Sequence, residues 1–384
     1  LHLDSQAMLK FIKSKEDYPL RITSYEGQDC IRTVSPITAE NAENIAITGD
    51  GIIDGSGDKW RPVKKFKMTA KQWDALFQIS PYVIETKETE IWMPTETILE
   101  GNRHNIQGTT EEALAAAAPY YDFYRPVMVS LRYCKKVLLQ GATFMNSPAW
   151  NIHPYFCEDL TVDSVKIRNP YYAQNGDGLD LESCKNALIV NSTFDVGDDG
   201  ICLKSDLPIV CENVTVKNCE IRSNCNAIKL GTSSYGGFRN IRISDCRIQA
   251  ATQSPIYNWS ETYPWGGIAD GINGLTGIAV ESVDGGLFED VIISNIEMEG
   301  VQTPIFIRLG DRSRQYSSKI SRLRSVTISD VKATAVSRIA CSITGVAEGD
   351  PGYIEGLTLK NIELVIPGEV GGQAVLGRQV SDAT

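Results

Sequence analysis

Nine segments of this chain repeat one template, and that repetition limits its fold more than any other feature. CKKVLLQGATF (134–144), CEDLTVDSVKI (157–167), CKNALIVNSTF (184–194) and CENVTVKNCEI (211–221) set the pattern. FRNIRISDCRI (238–248), FEDVIISNIEM (288–298), LRSVTISDVKA (323–333) and IEGLTLKNIEL (354–364) continue it, and AENIAITGDGI (42–52) reads as an earlier copy. Apolar residues alternate within each copy, with Asn, Asp, Ser or Gly at a corner. Alternation means strands; helical repeats would place apolar residues three and four apart. A repeat of 20–50 residues means stacked coils, set about 4.8 Å apart as in any sheet. The parallel crossovers of such a stack are right-handed. The expected fold is all-β: one right-handed parallel β-helix domain over residues 1–384. LHLDSQAMLKF at the start already alternates like a strand. The chain lacks an initiator Met and a signal peptide, so we read it as missing a native N-terminal stretch.

Two departures interrupt the period. Residues 58–124 form an insertion, expected to lie beside the solenoid as a flap or wall. Within it, Thr69 is the expected cap of a helix in TAKQWDALF, and Thr109 with Glu112 forms a capping-box start before ALAAAA. The second departure is the step from Phe238 to Phe288, whose surplus holds IYNWSETYPWGG (256–267). Tyr257 and Trp259 there are candidates to stack on apolar sugar faces; the plain alternative is a loop packed on the coil.

The chemistry concentrates in two matching stretches. Asp177-Gly178-Leu179-Asp180-Leu181 aligns with Asp199-Gly200-Ile201-Cys202-Leu203, 22 residues apart, and the second copy adds Asp198. Leu179, Ile201, Ile228 and Ile278 then share an interior column, and Leu181, Leu203, Leu230 and Val280 the next. Residues between them, including Asp180 and Lys229, point outward. Asp177, Asp198 and Asp199 crowd one external patch, where like charges raise one another's pKa. One protonated and one ionised carboxyl on a shared patch suits acid/base cleavage of a glycosidic bond. Corner Asp residues also satisfy turn backbone, but a doubled Asp beside a matching Asp one coil away fits that role poorly.

Composition narrows the partners. A formal net charge of −11 disfavours nucleic acid or an anionic membrane, and no apolar run reaches membrane-spanning length. Ten cysteines occur without a CxxC pair, beside only three histidines, so no metal or other cofactor is expected. Cys134, Cys157, Cys184 and Cys211 recur at 23, 27 and 27 residues, as one buried column would.

The chain resembles glycoside hydrolase family 28, the polygalacturonase-like enzymes. Asn175-Gly176-Asp177 and Gly197-Asp198-Asp199 match the family's Asn-x-Asp and Gly-Asp-Asp, and RPVMVSLRYCKKV, NSPAWNIHP and NGDGLDLESCKN resemble bacterial members from roughly Ala39 to Val365. The resemblance implies an inverting, metal-free glycosidase on pectin-type polysaccharide, with Asp198 as general acid and Asp177 and Asp199 activating water. It implies a carbohydrate substrate, a monomer, and a secreted or periplasmic location. Departures are specific. The histidine of the family's Gly-His-Gly is replaced by Cys225 or Asn226, depending on a one-residue shift in alignment, and its Arg-Ile-Lys uronate clamp by Ala279-Val280-Glu281. Candidate substrate contacts are Asn175, His153, Lys204, Asn226, Lys229, Glu281 and Arg308; Glu281 is expected to pair with Arg308 one coil on. Losing the clamp predicts a neutral or deoxy sugar there. The flap and the aromatic loop favour action from chain ends. Two other readings compete: a Ca²⁺-dependent polysaccharide lyase on the same scaffold, and a non-catalytic carbohydrate-binding solenoid.

Overall fold

A computed structural model describes residues 1–14, 16–206, 209–252, 274–312, 321–334, 336, 339–345, 354–365 and 376–378. The aromatic segment with Tyr257 and Trp259 lies outside them. The repeats build a right-handed parallel β-helix. One sheet holds ten parallel strands, from Ile37–Glu40 to Leu376–Arg378, and carries the aspartates on Leu179–Glu182 and its neighbours. A fifteen-strand sheet forms the remaining wall.

Register follows the alternation. Leu179 pairs with Ile201, Ile201 with Ile228 and Ile228 with Ile278, while Leu181, Leu203, Leu230 and Val280 form the parallel row. All eight are buried in one continuous core. Cys134, Cys157, Cys184 and Cys211 are buried in that core as well, behaving as small apolar side chains. At the corners Asn186, Asn213 and Asn240 take left-handed backbone, with φ of 55°, 57° and 54°. Asn tolerates that region better than most residues. The amides also bond coil to coil, Asn213 to Asn186 at 2.9 Å and Asn240 to Asn213 at 2.8 Å. The template's polar corner therefore turns the chain and ties neighbouring coils.

Phe144, Ile167, Phe194 and Ile221 stack down another interior row. Phe194 lies beneath Gly178, against which any Cβ would collide with its ring and with the Gly200 carbonyl. Phe194→Ala is expected to cost about 3–5 kcal/mol of unfolding free energy, the range for emptying a buried aromatic site. Urea unfolding of both proteins measures it.

Two additions cover the aspartate-bearing sheet. An antiparallel hairpin, Leu20–Tyr25 with Gln28–Thr33, turns at Glu26-Gly27, where both residues have positive φ. Residues from Val63 to Phe123 supply a three-stranded antiparallel sheet and helices Ala70–Leu76, Glu96–His104 and Glu111–Ala117. Thr69 caps the first helix through a full capping box with Gln72. The third is capped by Thr110, one residue after the expected Thr109, with its hydroxyl accepting from Ala113 N.

Candidate active site

The backbone around the aspartates is fixed by close approach. Gly197 has no room for a side chain, because the Pro170 and Tyr171 carbonyls pack against it. Asn175 adopts left-handed backbone (φ 53°). Its N–H donates to Asp198 Oδ2 at 3.2 Å, and the Asp199 N–H donates to Asp198 Oδ1 at 3.1 Å. Arg125 fixes the Asn175 loop, donating to Asn175 Oδ1 at 3.0 Å and to the Gln174 and Pro148 carbonyls at 2.7 and 3.0 Å. The Asp177 and Asp199 strands are joined through Gly178 N–H to Asp199 O at 2.9 Å.

The three carboxyls differ sharply. Asp199 is buried, yet Lys229 Nζ donates to its Oδ2 at 2.8 Å and Asn226 donates from both backbone (3.1 Å) and side-chain (2.7 Å) nitrogens to Oδ1. Burial pushes its pKa up, but Lys229 and Asn226 outweigh that and hold it at about 2. Asp198 is raised above the usual range by burial and by the Asp199 charge, against the pull of Lys67. Asp177 is raised well above it by burial and by Asp180, Asp198 and Asp199, and its Oδ1 is buried without a partner. Asp199 is therefore the most readily ionised of the three, and Asp198 and Asp177 hold their protons to higher pH than it does. Oxygens of Asp198 and Asp199 and the Cys225 sulfur lie within 4.8 Å of one another. Cys225 thus sits against the acid pair, while Asn226 is bonded to Asp199.

Several expected substrate contacts are turned to other partners. His153 does stand beside Asp180, but it is 2% exposed; its Nε2 lies 2.8 Å from Glu182 Oε2 and its ring packs edge-on against Trp150 and Tyr25. Lys204 is 1% exposed, reaching Glu26 at 3.2 Å and Asp180 at 3.7 Å under the Trp150 ring. Neither is open to a sugar, because the hairpin covers them: Tyr25 stacks on Trp150 at 3.8 Å and Gly27 N–H donates to Glu182 at 2.8 Å. Glu281 is in register with Arg308, as the coil period required, but the two form no ion pair. Arg308 is exposed, whereas Glu281 is 8% exposed beside Lys229, its carboxyl raised by burial despite the nearby cations. Asn175 borders an open cleft.

Sequence reading missed Tyr25, Glu26, Lys64, Lys67 and Arg125. The alternating LRITSY and QDCIRT around Glu26-Gly27 were a readable hairpin signal. Nothing local indicated that the hairpin lies over the aspartates.

A model of the glycosyl hydrolases family 28 matches residues 81–254. The chain is similar to an exo-poly-alpha-D-galacturonosidase of Dickeya chrysanthemi, 29% identical over 211 residues, covering 52% of this chain and 32% of that protein. It is also similar to a probable polygalacturonase of Vitis vinifera, 29% identical over 131 residues, covering 32% and 27%. The matches thus span about a third or less of these two relatives. A hyperthermoactive exopolygalacturonase from Thermotoga maritima shares the fold, with a TM-score of 0.66 at 23% identity over 99% of this chain and 79% of that one. The family match over residues 81–254, these relatives and the stacked acidic motifs together make the chain similar to glycoside hydrolase family 28.

Proposed function

We propose that the chain is an inverting glycosidase that removes residues from the end of pectin-type chains. The observation that carries this reading is the opposed state of two adjacent carboxyls: Asp198 tends to hold a proton while Asp199 stays ionised. Asp198 then protonates the leaving oxygen as the bond breaks. Asp199, with Asp177 beside it, takes a proton from the attacking water on the opposite face. Neither step calls on a metal. The nearest oxygens of Asp198 and Asp199, within 4.8 Å, are closer than the roughly 6.5–9.5 Å usual for inverting pairs, so stereochemistry is the direct test. Proton NMR of fresh product should show inversion; retention overturns the assignment. Release of monosaccharide alone from defined pectic oligosaccharides supports end-wise action, which the relatives named as exo-enzymes favour.

The pKa directions predict the pH profile. Activity needs Asp199 ionised and Asp198 protonated. The rate should therefore hold down to pH values near 2, if the fold survives. It should fall as pH rises through the Asp198 pKa, which lies above the ordinary aspartate range. A kcat/KM profile whose acid limb sits at an ordinary carboxylate pKa of about 4 contradicts the Asp199 assignment.

A further inference from the structure

Two bulky aromatic residues occupy a corner that suits neither. Tyr133 and Phe156 follow strands Val129–Arg132 and Ile152–Tyr155 of the ten-strand sheet, and both have left-handed backbone, with φ of 53°. On the flanking coils the same corner holds Asn41 and Ser183, at φ of 53° and 51°. A bulky side chain with positive φ is an outlier, whereas Asn is tolerated. Burial does not offset this at Tyr133, which is 45% exposed; Phe156 is half-buried. The rings are nonetheless held in place. Their centroids lie 5.5 Å apart with planes 32° from parallel. Buried Tyr155 braces both, edge-on to Tyr133 at 5.7 Å and to Phe156 at 4.5 Å. Tyr155 is itself pinned, donating its hydroxyl to Asp206 at 2.9 Å, with the Arg132 guanidinium 4.1 Å over its ring. Strain kept at an exposed position points to a use for the side chain.

We propose that Tyr133 and Phe156 form a second carbohydrate-binding platform, on which pyranose rings of a polysaccharide chain stack away from the aspartates. Aromatic faces pack against the apolar faces of sugars, and the centroid spacing is close to the length of one pyranose unit. A protein partner would need about 800 Å² of this face. Two rings flanked by Asn41 and Ser183 fall far short of that. The platform stands at the other end of the aspartate-bearing sheet, since Phe156 is one coil from Ser183 and the chain from Asp177 to Ser183 spans roughly 20 Å. The hairpin covers the face between, with Gly27 N–H on Glu182 and the Ser24 carbonyl accepting from Arg132 at 3.4 Å. The rings are therefore no part of the acid's own surroundings. They read ring faces, and would hold a polymer near the enzyme at high local concentration.

The test is affinity electrophoresis through gels containing polygalacturonate or pectic galactan, in an Asp198→Asn background so that the matrix is not consumed. Tyr133→Asn should weaken retention by about 2–10-fold, the worth of one aromatic stack. Tyr133→Trp should restore it, and Tyr133→Asn with Phe156→Asn should abolish it. Asn suits the left-handed corner, so the melting temperature of Tyr133→Asn should not fall. With Asp198 intact, KM for polymer should rise by a similar factor, while kcat/KM on disaccharides, too short to reach the platform, should stay unchanged. Retention untouched in the folded double variant overturns the platform. So does self-association in sedimentation velocity that the double variant abolishes, because the rings would then join two copies of the chain. Retention that depends on the rings upholds the platform whether or not the protein cleaves either polymer.

Discussion

Asp198→Asn is expected to lower kcat by about 10²–10⁴-fold, the usual contribution of a positioned acid/base group. The substitution keeps the size of the side chain and one of its two backbone bonds, because the Asn175 and Asp199 N–H groups donate to different carboxyl oxygens and the amide offers a single acceptor. What it removes is the proton. A leaving alkoxide must then depart unprotonated, and a leaving group of low pKa needs that proton least. Activated aryl glycosides, where accepted, should therefore lose less than natural oligosaccharides. Circular dichroism and melting temperature should match wild type. Near-wild-type turnover of a natural oligosaccharide by Asp198→Asn sinks the acid assignment.

The solenoid and the stacking of its aspartates were legible because both are one-dimensional. A period of two fixes which residues face inward, and the spacing of matching motifs, 22 residues at Leu179 and Ile201 and 27 at Glu281 and Arg308, fixes which coil neighbours meet. Ile201 over Leu179 and Arg308 beside Glu281 follow from counting alone. Exposure did not follow from counting. Asp180 and Lys204 point away from the core yet are buried, because the distant hairpin folds over this face; Gly27 meets Glu182 across 155 residues and Glu26 meets Lys204 across 178. Ion pairing escaped for a related reason. Register brings Glu281 and Arg308 alongside, but Arg308 turns to solvent and Glu281 settles beside Lys229. The cleft beside Asn175 was hidden as well, since its lining residues Arg32, Lys64, Arg125 and Arg312 come from separate segments with no shared motif.

Lys229→Met should be nearly as damaging as loss of the acid, and for a different reason. The ammonium and the Asp199 carboxylate lie 2.8 Å apart with side chains 15% and 5% exposed. Without the cation, Asp199 keeps the Asn226 bonds, but burial favours its protonated form. The base is then occupied at the pH where the acid works. A fall in kcat/KM of about 100-fold near pH 5 is expected, within the range for one acid/base group. Activity should recover partly as pH rises and Asp199 ionises, until Asp198 loses its proton. The acid limb of the profile therefore moves up while the alkaline limb stays. Stability moves in the same sense. In wild type the depressed Asp199 pKa stabilises the fold above the unfolded-state value of about 3.9, and this contribution is lost as pH falls toward 2. The variant lacks that contribution at neutral pH, and breaking such a buried pair costs about 3–5 kcal/mol. Assays belong well below its melting temperature, with Lys229→Arg as the charge-retaining control. An acid limb left in place in a folded Lys229→Met would show that Asp199 does not depend on Lys229 for its charge, and that the water is activated elsewhere.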